Sequence, residues 1–319
     1  MHSGGRSVVT IGAYDGVHIG HRSVIDRVRS LAGSEGLESV VVTFDRHPAS
    51  VVRPESAPML LTDLPQKLEL LEATGVDRVF VVHFDAERAA ETADDFVEVV
   101  LVRELSAAAV VVGRDFHFGK DRGGNLALLE AMGEEYDFRV EPFDLVTDPS
   151  AQEVVSSTRI RQCIAEGDLA EAERLLGRPH QVRGTVEPVA TGEAGALHLL
   201  VPDGILLPPL GEYAVRVAAG DARAETPRMA AQVTASPRGG HLALSRGDVP
   251  GGRQQNDSKP APSSGFSSPA ISDGRLATGD GRRATRQGSR HASLSRVGTR
   301  QRRDADRRGR RTLGSGSAV

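Results

Sequence analysis

The chain has 319 residues, enough for about two domains with buried cores. Its net charge of −4 averages two unlike parts: residues 251–319 hold 15 Lys/Arg against 5 Asp/Glu, and the residues before them hold 24 against 38. The single Cys163 excludes an internal disulfide framework and fits a reducing compartment. No apolar run is long enough for a bilayer, and residues 1–6 are too short and glycine-rich for a signal peptide, so a cytoplasmic protein without membrane partners is expected.

Residues 7–11 are an apolar run, followed by Gly12-Ala13-Tyr14-Asp15-Gly16-Val17-His18-Ile19-Gly20-His21. A strand, a tight glycine turn and a helix start in succession make an anion site. Glycines let the backbone approach a ligand, and the first helical turn presents unpaired N–H groups. His18 and His21 are three residues apart, so both can face the same oxygens. Three other readings compete: a plain connecting turn, a metal pair for which only Asp15 offers a nearby carboxylate, and a dinucleotide turn, although Gly-x-Gly-x-x-Gly is not present.

Further along, Val24, Ile25, Val28, Leu31 and Ala32 keep the helical period, and residues 38–44 read as a buried parallel strand ending in Thr43-Phe44-Asp45-Arg46-His47-Pro48. His47 would lie beyond the carboxyl end of that strand, where open α/β sheets bind ligands; a loop residue beside a proline is the equal alternative. Thr62 is expected to cap a helix with Leu64, Leu68 and Leu71 facing inward. A strand at 78–84, a helix capped by Thr92 through Leu105, and strands at 108–112 and 138–146 complete the alternation. This rhythm predicts a doubly wound α/β sheet with right-handed crossovers.

Two further segments bear on ligands. The loop 113–124 combines glycines with Asp115, Phe116, His117, Phe118, Lys120 and Arg122, which suits a flat, anionic molecule as well as it suits a solvated surface. Ser156-Ser157-Thr158-Arg159-Ile160-Arg161 offers hydroxyls at a helix start and arginines one turn on, either as a plain cap or as an anion wall.

Gly-x-Tyr-Asp-Gly-Val-His-x-Gly-His resembles the opening motif of bacterial FAD synthetases, the adenylyltransferase half of the bifunctional riboflavin kinase/FMN adenylyltransferases. Thr43-Phe44 with His47-Pro48, Val112-Gly113 with Asp115-Phe116 and Phe118-Gly119, and Val155-Ser156-Ser157-Thr158 with Ile160-Arg161 are similar to that family's other motifs, in the same order. His117 departs, standing where Arg is common. The resemblance implies a Rossmann-like His-x-Gly-His nucleotidyltransferase domain with a parallel sheet and helices on both faces over residues 1–179. It implies transfer of AMP from ATP to FMN, giving FAD and pyrophosphate, with Mg²⁺ accompanying ATP. His18, His21 and Arg161 take the catalytic positions. Gly12, Tyr14, Asp15, Gly16, Ser157 and Thr158 join them around ATP, and His47, Asp115, Phe116 and Phe118 lie near FMN. No protein-bound metal is expected.

Beyond Gly177-Arg178-Pro179, short apolar runs at 182–186, 196–201, 213–217, 232–235 and 241–244 are separated by Gly and Pro, predicting a small β-barrel or sandwich over 180–249. In the family this place belongs to the riboflavin kinase barrel, and Leu210-Gly211-Glu212-Tyr213 looks like one of its strands. Its Pro-Thr-Ala-Asn segment occurs nowhere in the chain, so the barrel is expected to be degenerate and kinase activity lost. Residues 250–319 are poor in apolar residues, which predicts a disordered basic tail. Nucleic-acid binding by that tail, a merely solvated tail and an out-of-frame gene end stay open. Two other functions also stay open: a nucleotidyltransferase acting on another phosphorylated substrate, and a non-catalytic flavin-sensing regulator.

Overall fold

The computed structural model describes residues 6–144, 154–188, 197–219, 228–236, 239–245 and 290–295. Five strands, β1 (Ser7–Ile11), β2 (Glu38–Phe44), β3 (Arg78–Val82), β4 (Ala107–Gly113) and β5 (Arg139–Phe143), form a parallel sheet in the order β3-β2-β1-β4-β5. β1 lies at the centre, with Val9 opposite Val40 on one side and Val110 on the other. Every residue of β1 is buried, as a parallel strand covered on both faces requires. Its side chains alternate between two cores. Val8 joins Val28 and Ala32 of helix α1 (Ile19–Glu35), whereas Val9 and Ile11 join Phe96, Leu101 and Leu129 on the opposite face. Each fully buried aliphatic side chain contributes about 1.5–3 kcal/mol.

The chain order makes the active end of the sheet. It runs outward from β1 to β2 and β3, then crosses back to β4 and β5, so the direction of winding reverses between β1 and β4. Crevices that bind ligands open beyond the carboxyl ends of the strands at such a reversal.

Short helices α2 (Ala49–Val52) and α4 (Ala86–Ala89) fill the connections on the β2–β3 side. Helix α3 (Leu64–Glu72) differs from expectation in its cap and in its inner face. Asp63, not Thr62, accepts the Gln66 N–H, and the buried residues are Gln66, Lys67 and Leu71. Lys67 turns inward because its ammonium donates to the Ala13 carbonyl at 3.3 Å and the Phe44 carbonyl at 2.6 Å. Thr92 caps α5 (Ala93–Phe96) as expected, but the helix then widens to i→i+5 bonding over Val97–Glu104, with Leu105 N–H donating to Val100 O at 3.2 Å. α6 (Leu126–Tyr136) precedes β5, and the latter ends at Phe143; residues 145–153 of the expected longer strand and its loop lie outside the described residues.

α7 (Ser157–Ala165) and α8 (Leu169–Leu176) lead into β6 (His180–Pro188), β7 (Leu197–Leu200), β8 (Gly211–Ala219), β9 (Arg228–Ser236) and β10 (Gly239–Ser245). Four of the five expected short strands fall within these, and the fifth, expected at 196–201, overlaps β7. A sixth strand, β11 (Arg290–Ser295), closes an antiparallel barrel in the order β10-β7-β6-β11-β8-β9. Within the tail, the six residues of β11 are extended and pair with the facing edges of β6 and β8. The rest of the tail lies outside the described residues.

One core crosses the expected boundary at residue 179. Ile160, Ile164, Leu175 and Leu176 from α7 and α8 pack with Val182, Leu199, Ile205 and Val215 of the barrel, and Leu61 joins them from the sheet domain.

Candidate active site

The turn after β1 is held in a conformation that its own residues disfavour. Tyr14 has φ 51° and the β-branched Val17 φ 38°, both in the left-handed region, with Gly16 at φ 82° between them. A Cβ on Gly16 would lie 2.7 Å from Leu61 Cδ1, so glycine is needed there for space as well as for its backbone angle. Several contacts hold the turn. Thr10 Oγ1 and the Tyr14 hydroxyl share a 2.8 Å hydrogen bond, Gly16 N–H donates to Thr62 Oγ1 at 3.1 Å, and the Arg178 guanidinium donates to the carbonyls of Gly16 at 2.6 Å and Val17 at 3.3 Å. Burial pulls Arg178 down to about 10, which leaves it charged at neutral pH.

Asp15 is the centre of this lock. Its carboxylate accepts from Leu61 N–H, Thr62 N–H and Thr62 Oγ1 at 3.0–3.1 Å and from Arg161 Nη2 at 2.6 Å, and only 5% of the residue is exposed. These contacts stabilise a buried carboxylate that without such partners would cost several kcal/mol. Arg161 is committed likewise, donating also to the Met59 carbonyl at 2.7 Å. Ser157 Oγ donates to the Asp15 carbonyl at 2.8 Å, so the start of α7 is tied directly to the turn.

His18 is the N-cap of α1: its Nδ1 accepts from His21 N–H at 3.3 Å. That bond fixes the tautomer, because an accepting Nδ1 places the ring proton on Nε2. The two imidazoles stack with centroids 3.5 Å apart, and Tyr14 meets His21 edge-on at 5.0 Å. Burial, with Arg178 and Arg161 adding to it, pulls His18 down to about 3; burial and then His18 itself pull His21 well below the usual histidine range. Both rings are therefore neutral at pH 7 and present N–H donors without carrying charge. His21 Nδ1 is buried and has no hydrogen-bond partner in the protein.

These groups border a cleft of about 290 Å³ at the switch point. Gly12, Tyr14, His18 and His21 line it together with Ser157 from the start of α7 and with Asp115 and Phe116 beyond the end of β4. The lining is also apolar, with Val112, Phe143 and Val155. Of the other residues expected at the site, Asp15, Gly16, Thr158 and Arg161 are not among those that line it. Phe118 turns away to pack on Phe96 and Phe116. His47 also lies off the cleft; its Nδ1 accepts from Ala49 N–H at 3.2 Å, and burial followed by nearby Arg161 lowers its basicity. A second depression, of about 470 Å³, lies at the amino-terminal end of the strands among the ion pairs Arg6–Asp137 and Arg139–Glu35, remote from these groups.

Sequence reasoning missed Thr62, Lys67 and Arg178 as parts of the site. Burial pulls Lys67 down to about 8 against the opposing pull of Asp15 and Asp45. A lysine on an expected inner helix face, two residues after Pro65, was the available signal for it. Arg178 stood in plain view at the domain boundary but had no pattern to mark it.

A parallel sheet whose reversal point opens on a His-x-Gly-His helix terminus, faced by a hydroxyl-bearing helix start, defines a Rossmann-like domain of the His-x-Gly-His class. A family model described as FAD synthetase matches residues 2–159. Over 179 residues the chain is 38% identical to the bifunctional riboflavin kinase/FMN adenylyltransferase of Escherichia coli K12, covering 56% of each chain. Over 214 residues it is 36% identical to the protein of that name from Listeria monocytogenes, covering 66% of this chain and 67% of the relative. The chain belongs to the FAD synthetase family. Its matched part spans little more than half the length of the Escherichia coli relative. A solved structure titled a macrolide-efflux protein from Streptococcus pneumoniae shares the fold, with a TM-score of 0.67, 23% identity and coverage of 92% of this chain and 85% of that one.

Proposed function

We propose that the protein is an FMN adenylyltransferase: ATP and FMN give FAD and pyrophosphate. The observation that carries this reading is the pair of neutral, stacked imidazoles that line, together with Ser157, a cleft at the sheet's reversal point. An oxygen of the FMN phosphate attacks the α-phosphorus of ATP, the new P–O bond forms in line, and the bond to the β-phosphate breaks to release pyrophosphate. Such a transfer needs placement and charge stabilisation rather than a covalent nucleophile. His18 and His21 donate ring N–H groups to ATP phosphate oxygens as charge shifts toward the leaving group. The free N–H groups at the start of α1 add to this, as does its dipole.

Ser157 and Thr158 at the start of α7 serve the leaving pyrophosphate. Arg161 and Asp15 act by holding the two walls together, Arg161 keeping its Nη1 donors for phosphate, while Gly12, Tyr14 and Gly16 shape the turn. Asp115 and Phe116 at the mouth are placed for the flavin side, and Phe118 and His47 support that side from behind. Mg²⁺ enters with ATP. Ser157 Oγ and the Asp115 carboxylate on the lining are oxygen donors of the kind the ion takes, and the ion supplies charge neutralisation of the phosphates. Among the described residues no group of three or more His, Cys, Asp and Glu side chains could hold a metal by itself.

The barrel lacks the Pro-Thr-Ala-Asn segment, so riboflavin kinase activity is lost in this reading and FMN comes from elsewhere. A cytoplasmic location accords with the reaction, and no helix among the described residues is long and apolar enough to cross a membrane. Pyrophosphate release with ATP against FMN, riboflavin and a panel of phosphorylated alcohols tests the reading. Release is expected with FMN alone; release with another phosphate and not FMN would reassign the acceptor. Riboflavin with ATP should give no FMN.

A further inference from the structure

We infer that the β7–β8 loop of the barrel is a positioning element of the transfer cleft, acting through a short ribbon of backbone, residues 59–62. The inference rests on the adenylyltransferase reading for its catalytic consequence, and on geometry alone for the coupling itself.

The ribbon is bonded on two sides, with both backbone groups of Leu60 directed to the barrel and the peptide groups flanking them directed to the turn. Leu60 faces the barrel: its N–H donates to the Gly204 carbonyl at 2.6 Å, and its carbonyl accepts from Leu206 N–H at 2.8 Å, so that Leu60 pairs with Ile205 as a one-residue parallel bridge. Its neighbours face the cleft. The Met59 carbonyl accepts from Arg161, Leu61 N–H and Thr62 N–H donate to Asp15, and Thr62 Oγ1 both donates to Asp15 and accepts from Gly16 N–H. The Leu61 side chain packs where a Cβ on Gly16 would sit.

Asp15 leads straight into the strained turn that carries His18 and His21. The path from barrel to imidazole is therefore a run of hydrogen bonds as far as Asp15 and covalent backbone from there to His18. A displacement of the ribbon toward or away from the barrel would pull the Leu61 and Thr62 amides off Asp15. The barrel loop also has the features of a fixed reference. Ile205 is buried in the core shared by both domains, and Ile205 N–H closes a tight turn onto the Pro202 carbonyl. Gly204, third in that turn, has φ 83°, the angle a type II turn demands and one that asparagine tolerates far better than a β-branched residue. This gives the barrel a function that does not depend on kinase chemistry.

Gly204 permits a clean test because nothing lies within 4 Å of a Cβ added there, so a substitution acts through the backbone angle alone. Full-length wild type, Gly204→Val and Gly204→Asn are compared by peptide-resolved hydrogen exchange and by FMN-dependent pyrophosphate release. Gly204→Val is expected to speed exchange in residues 12–21 and 59–62 and to lower kcat roughly tenfold through misplacement of the imidazoles, with KM for ATP within about twofold. Gly204→Asn should restore both. Unchanged exchange in residues 12–21 of a folded Gly204→Val protein, or equal loss in the Val and Asn variants, would overturn the inference. Should the valine variant fail to fold, Gly204→Ala is read in the same way. Absence of transfer by wild type counts against the adenylyltransferase reading, while the exchange comparison still decides the coupling.

Discussion

Asp15 Oδ2 and Arg161 Nη2 lie 2.6 Å apart and join the turn after β1 to helix α7 across 146 positions of sequence. The pair is buried, and the remaining lone pairs of Asp15 are met by Leu61 and Thr62. Removing one partner strands the other charge. Asp15→Ala is expected to cost about 3–5 kcal/mol in urea unfolding, whereas Asp15→Asn combined with Arg161→Met should cost less than the sum of its single changes. Additive costs would mean that the two groups do not interact in solution.

His21 lines the cleft and makes no side-chain hydrogen bond that the fold depends on. Its replacement by Ala should leave the unfolding midpoint nearly unchanged and slow transfer by roughly a hundredfold or more, as loss of one donor to a developing oxyanion does. Turnover at the wild-type rate would remove His21 from the reaction.

Stability should fall in mild acid. Burial, opposed by a hydrogen bond to Leu206 O, pulls His180 down to about 4, and burial with Arg178 and Arg161 pulls His18 down to about 3, from 6.5 in the unfolded chain. Between pH 6.5 and 4 the unfolded chain binds protons that the folded one refuses. Each such group therefore withdraws stability as pH falls through that window, by about 2–3 kcal/mol for His180. Urea midpoints measured from pH 7 to 4 should decline, and His180→Gln should show a shallower decline. A flat wild-type profile would show that the rings are not held neutral.

The Tyr14 hydroxyl meets Thr10 Oγ1 at 2.8 Å, with both residues buried. Tyr14→Phe leaves Thr10 without that partner and should cost about 1 kcal/mol. Since Tyr14 also meets His21 edge-on, transfer should fall by only a few fold if the ring position is kept, measured as kcat with saturating ATP.

Local patterns carried the sheet domain. Continuous Val-rich runs bounded by glycine specify buried parallel strands, and the 3.6-residue period of Val24 to Ala32 specifies α1, because each depends on neighbours a few positions away. The His pair was legible for the same reason: its spacing and its place after a strand are local facts. The expected inner face of α3 was misread because Lys67 is buried by two carbonyls distant in sequence, Ala13 and Phe44. The tail strand β11 was invisible, since Arg290–Ser295 has little apolar alternation and pairs with edges over 70 residues away.

Local residue order thus specifies the strand–turn–helix alternation, the anion-binding turn and the family motifs that surround it. Tertiary structure alone decided which of those motif residues face the cleft. Asp15 and Arg161 satisfy the motif by spending their charge on each other. His18 and His21 face the opening as neutral donors, and Phe118 turns into the core. Charge type is written in the chain, but whether a charge meets a ligand or a buried partner depends on what long-range packing places beside it, and desolvation makes the buried pairing obligatory once both groups are enclosed.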